Sequence, residues 1–149
     1  MEDKIKFMKE ALKRAKKGLA QGEVPVGAVI VHEGKVVSSG YNRRTRTQTA
    51  ISHAEIYAID RACKKFGSWR LPECDLYVTL EPCPMCAGAC IQTHIGTIAF
   101  GAWDPKLGAC GSIWDIPRDP HIGHSPEVHG GVLEGECQSI LTDFFAQRR

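Results

Sequence analysis

The stretch Leu76-Tyr77-Val78-Thr79-Leu80-Glu81-Pro82-Cys83-Pro84-Met85-Cys86 reads as a strand that runs directly into a helix. Leu76 to Leu80 are apolar or strand-favouring, and Pro84 stands where the first turn of a helix tolerates proline. This junction places Cys83 and Cys86 at the carboxyl end of a strand, where open α/β sheets bind their ligands. Their i, i+3 spacing puts both thiols at one helix end, and the positive pole of the helix favours the thiolate. A lone C-x-x-C is equally a redox motif or half of a structural zinc site, so the pair alone decides nothing.

Thirty residues before Cys83, His53-Ala54-Glu55 adds an imidazole and a carboxylate. Two residues apart, His53 and Glu55 diverge inside a regular helix. They converge only at a helix mouth, with Ser52 as the N-cap candidate and Ala54 to Ile59 opening the helix. Two helix N-termini meeting at one metal is the expected geometry. A structural zinc takes four protein ligands, whereas a catalytic one takes three and keeps a place for water. The clustered ligands here are three: His53, Cys83 and Cys86. Thiolates with imidazole favour zinc over magnesium or calcium.

Working outward, residues 3–20 carry Ile5, Met8, Leu12, Ala15 and Leu19 at helical steps, which predicts an amphipathic helix. Glu23 to Val31 reads as a strand buried on both faces, and Val36 to Tyr41 as its hairpin partner across Glu33-Gly34-Lys35. Residues 42–52 form a polar, arginine-rich loop that delivers the chain to His53 and is a candidate substrate wall. A helix follows over 53–65 with Ile56, Ile59, Ala62 and Cys63 inward. Next come the strand at 76–80, a helix over 84–93, a strand at 95–100 and a long loop at 101–112. Residues 113–127 hold three prolines and read as irregular. A short strand at 128–133 and a closing helix over 134–149, with Cys137, Ile140, Leu141, Phe144 and Phe145 buried, complete the order. The expected fold is one α/β domain over 1–149, a central mixed sheet covered by helices in three α-β-α layers.

Hydrophobic residues make up 43% and charged residues 24%, which suits a globular domain. The longest uninterrupted apolar run is four residues, Ala28 to Val31, so no membrane partner is expected. Seven cysteines, an odd number, with no signal for export argue against a disulfide framework and for the cytoplasm. Cys63, Cys74, Cys90, Cys110 and Cys137 read as small buried residues. The net charge of +2 identifies no nucleic-acid partner, but its distribution is uneven. The lysines of the first helix read as a solvated face, while Arg43, Arg44 and Arg46 share one loop and Arg148-Arg149 end the chain. His121, His124 and His129 read as solvated loop residues, and Trp69, Trp103 and Trp114 as packing anchors more readily than stacking platforms.

H-x-E followed by P-C-x-x-C is the signature of zinc nucleobase deaminases. Over nearly its whole length the chain resembles the bacterial tRNA-specific adenosine deaminases of the cytidine-deaminase-like fold. The resemblance is carried by Glu23-Val24-Pro25-Val26-Gly27, Asn42, His53-Ala54-Glu55-Ile56, Leu76 to Cys83, Met85 to Ala89, Phe100-Gly101-Ala102, Asp104, Lys106, Gly111-Ser112 and Asp143-Phe144-Phe145. It departs where the family has Asp-Pro-Thr-Ala and this chain has Thr49-Ala50-Ile51-Ser52, at His94, where arginine is common, and at Trp103, a variable position.

The resemblance implies hydrolytic deamination of adenosine 34, in a tRNA anticodon stem-loop, to inosine by a homodimer with one zinc per subunit and no nucleotide cofactor. His53, Cys83 and Cys86 match the zinc ligands, and Glu55 the proton shuttle for attack of a zinc-activated water on C6. Asn42 matches a residue on the flipped nucleotide, and Asp104 lies in the loop set against the anticodon. Amides of Ala54 and Cys83 are the expected donors to the developing charge. Arg43, Arg44, Arg70, Lys106 and Arg149 are the candidate phosphate contacts, with Phe145 beside them. Two rivals remain: a free guanine or cytosine-type deaminase of the same fold, and a zinc-stapled module without catalysis.

Overall fold

In the computed structural model, which describes residues 2–148, a five-stranded sheet has the order β2-β1-β3-β4-β5. The strands are β1 (Gly27–His32), β2 (Lys35–Tyr41), β3 (Cys74–Leu80), β4 (Thr97–Ala102) and β5 (Glu127–His129). β1 pairs antiparallel with β2 and β3, and β3, β4 and β5 run parallel. The sheet is mixed, as expected. Five α-helices accompany it, α1 (Glu2–Leu19), the short α2 (Arg44–Thr47), α3 (Ala54–Phe66), α4 (Pro84–Gln92) and α5 (Glu134–Ala146), with one 3-10 turn at Ile116–Arg118. α1 and α5 cover one face, while α3, with α4 beside it, covers the other.

The alternation of side chains along each strand assigns the faces. Ala28, Val78 and Phe100 share a register row with Gly40, and a Cβ on Gly40 would sit 2.4 Å from the Ala54 carbonyl oxygen. Only glycine lets α3 lie this close to β2, and the closeness positions the first turn of α3, which carries Glu55. The core is continuous through the layers, from Met8 and Ala11 of α1 through Val29, Ile30, Leu76 and Ile98 to Ala58 and Ala62 of α3. On the outer edge of the sheet, Arg61 and Lys65 donate to the free carbonyls of Ser39 and Val37 at 2.8 and 3.5 Å. These cationic donors blunt an otherwise open strand edge.

Several boundaries differ from the sequence reading. β1 begins at Gly27: Val26 N–H bonds the Val24 carbonyl at 2.9 Å in a tight turn, and Glu23 before it bonds the following loop. The 42–52 loop contains α2, and the last strand is 127–129, ended before Leu133 takes a left-handed φ of 53° at the cap of α5. Ser52 is not the N-cap of α3; His53 is. Phe145 lies 50% exposed while Cys137, Leu141 and Phe144 are buried, since residue 145 falls on the outer face of α5. Ile56 and Cys63 are only half-buried, whereas Cys74, Cys90, Cys110 and Cys137 are buried free thiols. The three tryptophans are 63, 42 and 45% exposed for Trp69, Trp103 and Trp114, although Trp103 still packs edge-on against the buried Phe100 at 4.8 Å. His121 is solvated, but His124 is half-buried and bonds the Ile95 carbonyl at 2.8 Å.

Candidate zinc centre and substrate cleft

His53 and Cys83 are the N-cap residues of α3 and α4, both in extended conformation. An N-cap side chain projects beyond the helix end, so the two mouths aim an imidazole and a thiol at the same point. Cys86 reaches it from the first turn of α4. His53 Nδ1 lies 3.6 Å from Cys83 Sγ and 3.5 Å from Cys86 Sγ, and all three ligand atoms fall within 4.8 Å of one another. A tetrahedral zinc with Zn–S near 2.3 Å and Zn–N near 2.0 Å requires N···S separations of about 3.5 Å. The donor set and its two N···S separations therefore fit zinc.

The electrostatics favour one thiolate at this point, Cys83, hydrogen-bonded by its two neighbours. Hydrogen bonding from Cys86, with His53 adding to it, draws the Cys83 thiol down to about 4 against the opposing effect of burial. Cys86, the donor in that pair, is pushed up, and His53 is raised by its hydrogen bond to Cys83. Glu55, in the first turn of α3, is 4% exposed. Burial pushes its carboxyl up to about 7, and His53, Cys83 and Cys86 all act on its titration. A carboxyl near neutrality beside a metal site can take a proton and return it.

The flanking polar residues are less uniform. Asn42 Oδ1 accepts the Ala54 N–H at 2.9 Å, tying the preceding loop to the mouth of α3. The Ala54 amide is thus already committed and does not serve the developing charge. Asn42 also lines a cleft of about 380 Å³ together with Glu23, Arg44, Gln48 and Thr49. Arg44 is near enough to His53 to lower its titration. Arg43 does not join them: its guanidinium stacks 4.3 Å over the Tyr41 ring and 5.1 Å from Tyr57. Its Nε is the one buried side-chain polar atom without a partner among the described residues.

A second cleft, of about 410 Å³, lies between the 101–108 loop and α5 and meets the first at Val24. Trp103, Asp104, Lys106, Leu107 and Phe145 line it. Asp104 Oδ1 accepts the N–H groups of Lys106 and Leu107 at 2.9 and 3.2 Å, a side-chain turn that turns the loop on itself. Arg70 is absent from both clefts. It precedes Cys74 at the start of β3, and seven strand residues, about 20 Å, separate that end from the zinc cysteines. Arg149 falls outside the described residues.

Two residues that sequence reasoning did not single out hold the cleft walls. Glu23, 2% exposed, accepts the N–H groups of Thr45 and Arg46 at 3.1 and 2.8 Å. Glu81, also 2% exposed, does the same for the 104–112 loop. Each is an acidic residue set against an apolar run, and that anomaly was the available signal.

Two helix mouths that bring three soft ligands and a buried carboxyl to the carboxyl end of a mixed sheet define a zinc-dependent hydrolytic deaminase site. Residues 1–102 match the cytidine and deoxycytidylate deaminase zinc-binding region. The tRNA-specific adenosine deaminase of Bacillus subtilis (strain 168) is 48% identical over 96% of this chain and 89% of its own. That of Streptococcus pyogenes serotype M18 (strain MGAS8232) is 40% identical over 100% and 94%. A solved structure from a study of A-to-I editing by tRNA:A34 deaminases superposes with a TM-score of 0.87 at 43% identity, over 91% of this chain and 98% of that one. A guanine deaminase from Nitrosomonas europaea shares the fold at a TM-score of 0.80 but only 24% identity, over 94% and 83%. The chain belongs to the cytidine and deoxycytidylate deaminase zinc-binding family and, within it, to the tRNA-specific adenosine deaminases.

Proposed function

We propose that the protein deaminates adenosine 34 of a tRNA anticodon to inosine, releasing ammonia. The observation that carries the chemistry is the His53, Cys83 and Cys86 triangle with Glu55 buried beside it. The substrate class is supported by full-length similarity to the tRNA-specific adenosine deaminases. The likeness to the guanine deaminase, at 24% identity, is one of fold.

His53, Cys83 and Cys86 would hold the zinc, which would supply a water with its pKa lowered to about 7. Glu55 takes one proton from the attacking water and delivers it to N1 of adenine, then takes the second from the new C6 hydroxyl and delivers it to the amine, which leaves as ammonia. The fixed N-cap conformations of His53 and Cys83 hold the ligands before substrate arrives. Asn42 offers its side-chain amide to the flipped nucleoside while its oxygen secures Ala54. Base flipping costs a few kcal/mol, kept small in an anticodon loop whose bases are already unpaired. Flanking nucleotides lie over the second cleft, where Trp103 and Phe145 offer stacking surfaces and Lys106 a charge. Arg44 serves the phosphates on the opposite side; Arg43 and Arg70, stacked and remote respectively, have no part in this arrangement.

The functional unit is a homodimer with one zinc per subunit. α4 has no charged residue between Pro84 and Gln92, and Met85, Gly88, Ala89 and Ile91 on it are half-buried and small or apolar. Among the described residues no helix is long and apolar enough to cross a membrane, and the protein acts where tRNA is found, in the cytoplasm. The test is to incubate the purified protein with an adenosine-34 anticodon stem-loop and, separately, with free guanine. Inosine from the RNA and no ammonia from guanine is the expected result; ammonia from guanine alone overturns the RNA substrate and retains the zinc chemistry.

A further inference from the structure

Glu81 stands between the end of β3 and the zinc ligand Cys83, two residues away, and is buried. Its carboxylate accepts four hydrogen bonds, all from one loop. The N–H groups of Asp104, Cys110 and Ser112 reach it at 3.0 Å each, and the Ser112 hydroxyl donates to the same oxygen as Asp104. Gly108 closes the cradle, because a Cβ there would lie 2.4 Å from the Glu81 carboxyl carbon. Both oxygens are occupied and the group is sealed from the clefts, so it takes no part in proton transfer. The loop it gathers is the one that presents Asp104, Lys106 and Leu107 to the second cleft.

A site surrounded by four donors needs a side chain that only accepts. The Glu81 side chain adds to the backbone bonds from Ala109 N–H to the Pro82 carbonyl at 2.9 Å and from Glu81 N–H to the Ala102 carbonyl at 2.8 Å, which already join the backbone that carries the zinc thiols to the wall that faces substrate. We infer that Glu81 is a positioning residue that fixes the Asp104–Leu107 wall against the zinc cysteines, so that substrate engagement depends on it and metal binding does not. The inference rests on the proposed tRNA substrate for its kinetic consequence and on geometry alone for its structural one.

The test compares zinc-loaded wild type with Glu81→Gln and Gly108→Ala, using the adenosine-34 stem-loop, zinc analysis and hydrogen exchange at the amides of residues 104, 110 and 112. Glutamine keeps the size but turns an NH₂ toward N–H donors. Alanine at 108 presses on the carboxyl from the other side. In both variants KM rises about 10- to 100-fold, as a misplaced substrate contact dictates, while kcat stays within about threefold, zinc content matches wild type and the three amides exchange faster. A folded Glu81→Gln protein with unchanged KM and protected amides overturns the inference. Loss of zinc also overturns it, as does a fall in kcat at constant KM, which is what a smaller folded fraction produces. If Glu81→Gln does not fold, wild-type KM and protected amides in Gly108→Ala overturn it alone. A wild-type protein inactive on the stem-loop removes the substrate reading and leaves the exchange measurement to decide the role of Glu81.

Discussion

The role proposed for Asn42 divides between its two amide atoms, and a pair of substitutions separates the halves. Its Oδ1 accepts the buried Ala54 N–H at 2.9 Å, and its side chain lines the cleft with Glu23, Arg44, Gln48 and Thr49. Asn42→Ala removes the acceptor and leaves the first N–H of α3 without a partner, at a cost of about 1–2 kcal/mol for losing a cap-like bond. For a chain of this size that lowers Tm by about 2–8 °C. Asn42→Asp keeps an acceptor and sets a negative charge at a helix N-terminus, worth about 0.3–1 kcal/mol, so Tm holds within about 3 °C. What aspartate cannot do is donate. A substrate hydrogen bond of about 1.5 kcal/mol corresponds to roughly a tenfold loss in kcat/KM, and repulsion from the phosphates adds to it. The assay is differential scanning calorimetry alongside initial rates on the adenosine-34 stem-loop, with zinc content checked in each protein. If Asn42→Asp melts as early as Asn42→Ala, the oxygen is not the tie to α3. If it keeps the wild-type kcat/KM, the nitrogen is not a donor to substrate, and the assignment fails.

Gly40→Ala places a Cβ 2.4 Å from the Ala54 carbonyl oxygen, so α3 withdraws by about 1 Å toward an ordinary contact distance. The overpacking costs about 1–3 kcal/mol, and moving Glu55 that far lowers kcat about 100-fold; unchanged rates refute the claim that this glycine sets the position of the acid. Stripping the metal with a chelator unties the mouths of α3 and α4. At free zinc about 1,000-fold above Kd the lost linkage is about 4 kcal/mol, or about 8–16 °C in Tm, restored by adding zinc back; a Tm indifferent to the chelator contradicts the site. Stem-loop binding weakens with salt, with a log–log slope of about −1.4 if Arg44 and Lys106 each meet a phosphate on a single strand; a flat response removes the phosphate contacts.

The zinc centre was legible because each of its parts is a local pattern. Cys83 and Cys86 at i, i+3 after a strand, and His53 two residues before Glu55, leave only helix mouths as a common solution, and His53 and Cys83 are indeed the two N-caps. The order of elements was legible for the same reason, since Val29-Ile30-Val31 and Leu76 to Leu80 announce buried strands. The cleft walls were less so, because they depend on contacts far apart in sequence. Glu23 looked like the start of a strand, but its carboxylate is bonded to Thr45 and Arg46 across some twenty residues of chain. Arg43 belonged to a basic loop by sequence and is spent between two tyrosine rings. Arg70 carried the same charge as Arg44 and lies at the far end of the sheet, a placement set by strand direction and invisible to composition. Phe145 and the tryptophans ran against expectation in the other direction: large aromatics left 42 to 63% exposed, which burial alone does not explain.

The most direct test of the account is the single-turnover rate of inosine formation at position 34 of an anticodon stem-loop, measured for the zinc-loaded wild-type protein and for Glu55→Gln. The account predicts inosine with the wild type and a loss of about 100-fold or more with the variant, while zinc content and Tm remain close to wild type. Equal rates in the two proteins, or no inosine from the zinc-loaded wild type, contradict it.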